Sequence, residues 1–307
     1  MKWMKQIQCN RKLVFIFFFT LCSMQSIAQR DKTNTLLWEI SGNGLQQPSY
    51  LFGTIHMICK EDFLISEIVK QKFNSSKQVY LELDMDDPQL QVTMMQQMQL
   101  PDKETLKNKL GESDFKKLDS FLQKEMNMNL VMFDKFKPMM VMSILAQRLL
   151  PCAGMESYDM NFAKMATEQK KELLGLEKVE DQLGVFDAIP DSLEIRSIMN
   201  MVNDFDAQKK EFTRMSAIYK SQNLEALYQL MVESPEMMGS QELLLDRRNR
   251  NWIPVMESAM KNSSTFFAVG AGHFGGVVRG GAARAASGAA ARLCAHYRAA
   301  VGCPFGL

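Results

Sequence analysis

The stretch YLFGTIHMICKEDFLISEIVKQKFNSSKQVYLELD, residues 50–84, decides how this chain folds. Residues 50–55 are apolar and rich in β-formers, which reads as a strand. Phe63, Ile65, Ile68, Val69 and Phe73 then recur at helical spacing, so the apolar period changes from that of a strand to that of a helix. Residues 77–87, KQVYLELDMDD, return to strand, with Glu82 and Asp84 at its C-terminal end. Strand, helix and strand in that order predict an α/β unit.

Outward from this unit, residues 36–39 form another apolar, β-rich run. SGNGLQQPS between the two runs supplies the Gly, Asn and Pro of a hairpin or linked pair. Residues 88–241 are mostly helical in period and rich in Met, Gln, Lys and Leu, with Pro101, Pro138, Pro151 and Pro190 as punctuation. One strand candidate interrupts them, KKELLGLEKV at residues 170–179, with Glu177 near its end. Methionine pairs such as Met94-Met95 and Met139-Met140 read as core filling before they read as an adaptable surface. SQELLLDRRNRNWIPVMESAM is a basic amphipathic helix, and STFFAVGAGHFGG is a buried strand that breaks into a glycine-rich turn.

The charge balance of 36 basic against 35 acidic residues provides no long-range field for nucleic acid or an anionic membrane. No nucleic-acid partner is therefore expected. Lys2, Lys5, Arg11 and Lys12 precede the apolar run LVFIFFFTLC, and Ser26-Ile27-Ala28 offers small residues before Gln29. Residues 1–28 thus read as a signal peptide, with an uncleaved anchor as the alternative. Once it is cleaved, no membrane span is expected, and the protein is periplasmic or secreted. In an oxidising compartment Cys59 and Cys152 either form a disulfide or remain two separate buried thiols. Residues 277–307 carry ten alanines, five glycines and four arginines and no lysine or methionine. That break from the composition of residues 29–276 reads as a frameshift or chimeric join, or as a genuine extension.

The chain has three histidines, and two of them, His56 and His273, stand three residues after a glycine at the end of a strand. His296 lies in the atypical tail. In open α/β sheets, ligands collect at the carboxyl ends of strands, so His56 and His273 are expected to meet there. Metal hydrolases need neutral imidazole nitrogens and a carboxylate around one cation; His56, His273 and Glu82 are those residue types. Gly53 and Gly270 would let the chain turn and let backbone or substrate approach closely. Two structural histidines in turns remain the alternative on these residues alone. There is no G-x-S-x-G elbow, P-loop, H-E-x-x-H or C-x-x-C. Arg250 either orients a substrate carboxylate or belongs to a charged face, and Arg247 and Arg248 are assigned to that face.

LLWEISGNGLQQPSYLFGTIHM, VYLELD, LLGLEKVEDQLGVFD, LLDRRNRNW and FFAVGAGHFGG, taken together and in order, resemble the TraB/GumN family over nearly all of residues 36–276. Relatives of that family include the Tiki metalloproteases and, more distantly, erythromycin-esterase-like and ChaN-like proteins. The resemblance implies an α/β fold with a central mixed β-sheet, flanking helices and a large helical insertion. It implies a divalent cation, manganese or cobalt rather than zinc, with His56 and His273 as ligands and Glu82 as ligand or general base. Asn249 and Arg250 match the family's Arg-Asn-rich helix and are candidates for holding substrate. The expected function is an exported hydrolase of peptide bonds; an ester or amide hydrolase and a non-catalytic ligand- or metal-binding protein are the alternatives. Its partner would be a peptide or small-molecule substrate. The tail matches neither the helix nor the terminal strand that usually follow the second motif, so the sheet is expected to lack an edge.

Overall fold

The computed structural model describes residues 35–234, 237 and 240–274, together with the backbone of 298–299. The expected signal segment and nearly all of the atypical tail lie outside the described residues. The elements in chain order are β1 (Leu37–Ser41), β2 (Ser49–Thr54), β3 (Ile58–Cys59), α1 (Glu67–Ser75), β4 (Gln78–Leu81), α2 (Leu90–Gln97), α3 (Leu106–Met126), α4 (Pro138–Arg148) and β5 (Met155–Glu156). They continue as α5 (Tyr158–Glu168), β6 (Glu172–Gly175), α6 (Val179–Asp187), α7 (Asp191–Asn203), α8 (Phe205–Lys220), α9 (Leu224–Val232), α10 (Arg247–Asn262), β7 (Thr265–Gly270) and β8 (Arg298–Ala299).

The main sheet runs β6-β4-β7-β2-β1, with β8 outside β1. The pairings of β6, β4, β7 and β2 are parallel and those of β1 are antiparallel, so the sheet is mixed and the fold is α/β. The central strands are apolar nearly throughout because both of their faces are covered. Tyr50, Phe52, Val79, Phe266 and Ala268 meet α1 and α5 through Val69, Phe73, Tyr158 and Phe162. Their neighbours in the pleat, Leu51, Phe267 and Val269, point the other way, with Trp38 and Ile40, onto Trp252, Met256 and Met260 of α10.

The helical insertion has its own core, in which Leu118, Leu122, Val141, Leu145, Ile198 and Phe205 bring together α3, α4, α7 and the start of α8. Pro138 occupies the first turn of α4, where its missing N–H has no helical partner to lose. Within α3, Gly111 takes φ +76°, which glycine alone adopts readily, and the helix kinks there.

The edge outside β1, expected to be bare, carries a two-residue pairing of Ile40 with Ala299 and Ser41 with Arg298. A disulfide joins Cys59 to Cys152 with their Cα atoms 5.8 Å apart, beside the small β3-β5 pair. It fastens the loop after His56 to the segment before α5. Among the described residues, no helix is long and apolar enough to cross a membrane.

Candidate metal centre

Strands β4, β7 and β2 are parallel neighbours, so their C-terminal ends open at one edge of the sheet. Glu82 leaves the end of β4, His273 lies in the 3₁₀ turn Ala271–Phe274 after β7, and His56 follows β2. The two motif glycines serve close approach. A Cβ on Gly53 would lie 3.2 Å from the Ala271 Cβ, and one on Gly270 would lie 3.2 Å from Glu82 Oε1. The bare backbone of Gly270 instead donates its N–H to Glu82 Oε1 at 2.7 Å.

Glu82 is buried, and its second oxygen accepts from Arg248 Nη2 at 2.6 Å and Gln182 Nε2 at 3.1 Å. Burial alone would raise the Glu82 pKa. The attraction of His273, Arg248 and His56, with the Gly270 N–H, overcomes it and brings the pKa down to about 2. His273 is itself neutral above its own lowered pKa, which leaves Arg248 as the closest fixed charge acting on Glu82.

Arg248 ties the centre together. Its Nε donates to Glu177 Oε1 and Oε2 at 3.0 and 3.1 Å, and its Nη1 faces His273 Nε2 at 3.2 Å. Trp252 donates to Glu177 Oε2 at 3.0 Å, and the guanidinium lies 4.7 Å from the Trp252 ring centre.

His273 is buried, and desolvation lowers its pKa to about 3, so it is neutral at physiological pH. Asn249 sets its tautomer. The Asn249 Nδ2 donates to the His273 carbonyl at 3.2 Å, which turns Oδ1 toward His273 Nδ1 at 2.9 Å. Nδ1 therefore carries the proton, and Nε2 presents its lone pair 3.9 Å from Glu82 Oε1.

His56 differs in every respect. Its side chain is 71% exposed, and its Nδ1 faces Asp159 Oδ2 at 3.3 Å. The hydrogen bond to Asp159 raises its pKa to about 9. Asp159 is held in turn by the Thr54 hydroxyl, which donates to its Oδ1 at 3.4 Å. Donor atoms of His56, Glu82 and His273 do not come within 4.8 Å of one another as a set of three. Among the described residues the single set that close is Cys59, Glu61 and Cys152, and its two sulfurs are joined in the disulfide.

Thus Glu82, His273 and Asn249 are brought together, and His56 stands apart at the open side. Arg250 stands farther out: it is exposed and ion-paired with Glu242. The arginine at the centre is Arg248, which the sequence reading assigned to a solvated face. The physical reason is a π-helical turn, Glu242–Asp246, just before α10. Its wider winding shifts the helical phase, so a period carried through from Gln241 misplaces every arginine after it. Glu177 had a signal, a carboxylate near the end of a strand, whereas Gln182 and Asp159 had none.

The model of the TraB/PrgY/gumN family matches residues 36–279, which contain all of these groups. The chain belongs to that family. Among curated proteins it is 24% identical to Metalloprotease TIKI2 of Xenopus tropicalis over 80% of this chain and 57% of that protein. It is 35% identical to Metalloprotease TIKI1 of the same organism over 31% of this chain and 18% of the relative. Metalloprotease TIKI homolog of Nematostella vectensis is 30% identical over 37% of this chain and 24% of the relative. The chain therefore spans little more than half the length of the first of these and less of the others. No solved structure matches.

Proposed function

We propose that this family member is an exported, divalent-metal-dependent hydrolase of peptide bonds, whose cation is held by His273 and Glu82 with His56 as the third donor. The observation that carries this reading is the state of His273: buried, neutral, and with its Nε2 lone pair 3.9 Å from a buried carboxylate oxygen. Two donors that each sit about 2.1 Å from one ion span a distance of that order. Metal sites ask for a neutral imidazole, an ionised carboxylate and an outer partner that fixes the tautomer, and Asn249 is such a partner. Asp159 likewise engages His56 Nδ1, but it also raises the His56 pKa to about 9, so a cation bound at Nε2 would have to displace a proton there. The names of the curated relatives support the same chemistry.

A divalent cation bound there would polarise the scissile carbonyl and lower the pKa of an attacking water. Glu82 supplies negative charge from a fixed, dry position, and Gly270 and Gln182 hold its oxygens in place. Arg248 is the residue that must yield, because its guanidinium now faces both Glu82 and His273; Glu177 retains it by three contacts while it withdraws. The resemblance to the Tiki metalloproteases favours manganese or cobalt, while two imidazoles and a carboxylate would also accept zinc. The basic, then apolar, then small-residue sequence of residues 1–28 and the Cys59–Cys152 disulfide support export to an oxidising compartment.

One observation favours a second reading, a non-catalytic protein. Arg248 already contacts Glu82, Glu177 and His273, so each of these side chains has a partner without a metal. Metal stoichiometry and peptidase activity of the purified protein, beside folded Glu82→Gln and His273→Ala variants, separate the two. About one equivalent of manganese or cobalt, with metal and activity both lost in the variants, is the expected result. A folded protein that takes up no divalent metal would overturn the hydrolase and leave the arginine-closed cluster as a structural device.

A further inference from the structure

A cavity lies within the helical insertion, between α2, α4, α6 and α7. It encloses about 270 Å³ and is walled by Met98, Met139, Leu183 and Phe186. Glu194 of α7 lines it and is only 8% exposed. No hydrogen bond or ion pair reaches its carboxyl among the described residues, and its oxygens open onto the cavity rather than being sealed in the protein.

The charges around it are not balanced. Lys109 is engaged by Glu104 and Asp191 at 2.6 Å each, and Lys137 by Asp187 at 2.5 Å. With Glu194, four carboxyls thus face two lysines, and Glu194 is the one without a partner. Desolvation, with Asp191 and Asp187 nearby, raises Glu194 to about 7 against the opposing pull of Lys137 and Lys109. A positive charge in the cavity would supply what burial denies it.

We propose that this cavity binds a primary ammonium or guanidinium carried on a short apolar stem, with Glu194 as its counter-charge and Met98, Met139, Leu183 and Phe186 around the stem. Gln182, which bonds Glu82, does not line this cavity, and the proposal does not depend on the hydrolase reading. The cation belongs either to a free amine or to a lysine or arginine side chain of a peptide. Both present the same chemistry to Glu194.

Methyl NMR of the protein carrying ¹³C-methyl methionine tests this, because Met98 and Met139 report from the walls; Met98→Leu and Met139→Leu assign their signals. Titration with hexylamine and agmatine is expected to shift those two methyls, and hexanoate is expected not to. Glu194→Gln should weaken the amines about tenfold or more, since a charged hydrogen bond is lost. Lys137→Gln should strengthen them, since it removes a competing cation and frees Asp187. Opposite signs from two conservative changes are not what a general loss of packing produces. N-acetyl-lysine amide beside hexylamine distinguishes the two sources: tighter binding of the former assigns the site to a peptide side chain. Amines that leave both methyls unmoved, hexanoate that binds as well as they do, or an undiminished affinity in Glu194→Gln would each overturn the proposal.

Discussion

Two buried glutamates divide this molecule. Glu82, at the C-terminal edge of the sheet, is 6% exposed and Glu194, in the insertion, is 8% exposed, so burial treats them alike. Partners do not. Glu82 accepts from Arg248, Gln182 and the Gly270 N–H and is held at about 2, while Glu194 accepts from none and rises to about 7. What its oxygens touch thus separates Glu82 from Glu194, and by that measure Glu82 has its partners at the sheet edge and Glu194 lacks them in the insertion.

The comparison breaks most sharply at Arg248. Arg248→Met leaves Glu82 and Glu177 as buried carboxylates without a cation, in a place where the three side chains are between 7% and 11% exposed. The expected loss is about 3–5 kcal/mol in urea unfolding followed by circular dichroism, the magnitude for removing one member of a buried ion pair. If Arg248 contributes mainly charge, Arg248→Lys restores part of the loss. It should not restore all of it, because an ammonium cannot reproduce the fork that reaches Glu177 and Glu82 together. A variant of unchanged stability would mean that the guanidinium is not fixed between the two carboxylates.

The insertion gives a smaller effect with a pH signature. Glu194 keeps its proton in the folded chain up to about pH 7, whereas in the unfolded chain it loses it near its ordinary value of 4.5. Between those values the folded state binds the extra proton, so the contribution of Glu194 to stability is fully present below 4.5 and is lost as pH rises through 7. The Glu194→Gln variant does not titrate there. Its stability relative to the parent should therefore improve by roughly 3 kcal/mol between pH 4 and pH 8. A difference that is flat with pH would show that Glu194 is solvated in the cavity.

The sheet edge was largely legible in the sequence, and the insertion was legible only as helix. Gly53 and His56, and Gly270 and His273, stand out because a glycine and a rare histidine recur at strand ends, where backbone direction fixes position. Leu51 and Phe52 likewise declare their strand through an apolar run covered on both faces. Arg248 was hidden by the π turn before it. Gln182 and Asp159 reach Glu82 and His56 across about a hundred residues of chain, a separation at which no local period carries information. Glu194 sits in DSLEIRSIMN, where a carboxylate between apolar residues has the pattern of any exposed helical position. Its burial follows from how α7 meets α4 and α6, which is a property of packing.

The smallest effect tests the same lesson from the surface. Arg250 and Glu242 form an ion pair whose side chains are 41% and 60% exposed, two residues from Arg248 in sequence. Water and salt screen such a pair, and two long side chains must be ordered to form it. Arg250→Ala is therefore expected to leave the urea midpoint and the metal stoichiometry unchanged within error, while Arg248→Met moves both. An Arg250→Ala variant that lost metal with its fold intact would place Arg250 at the open side of the centre, near the exposed His56. The two arginines stand two residues apart, about 200° around α10, so they face opposite sides of it, and the phase set by the π turn places one among buried carboxylates and the other in water.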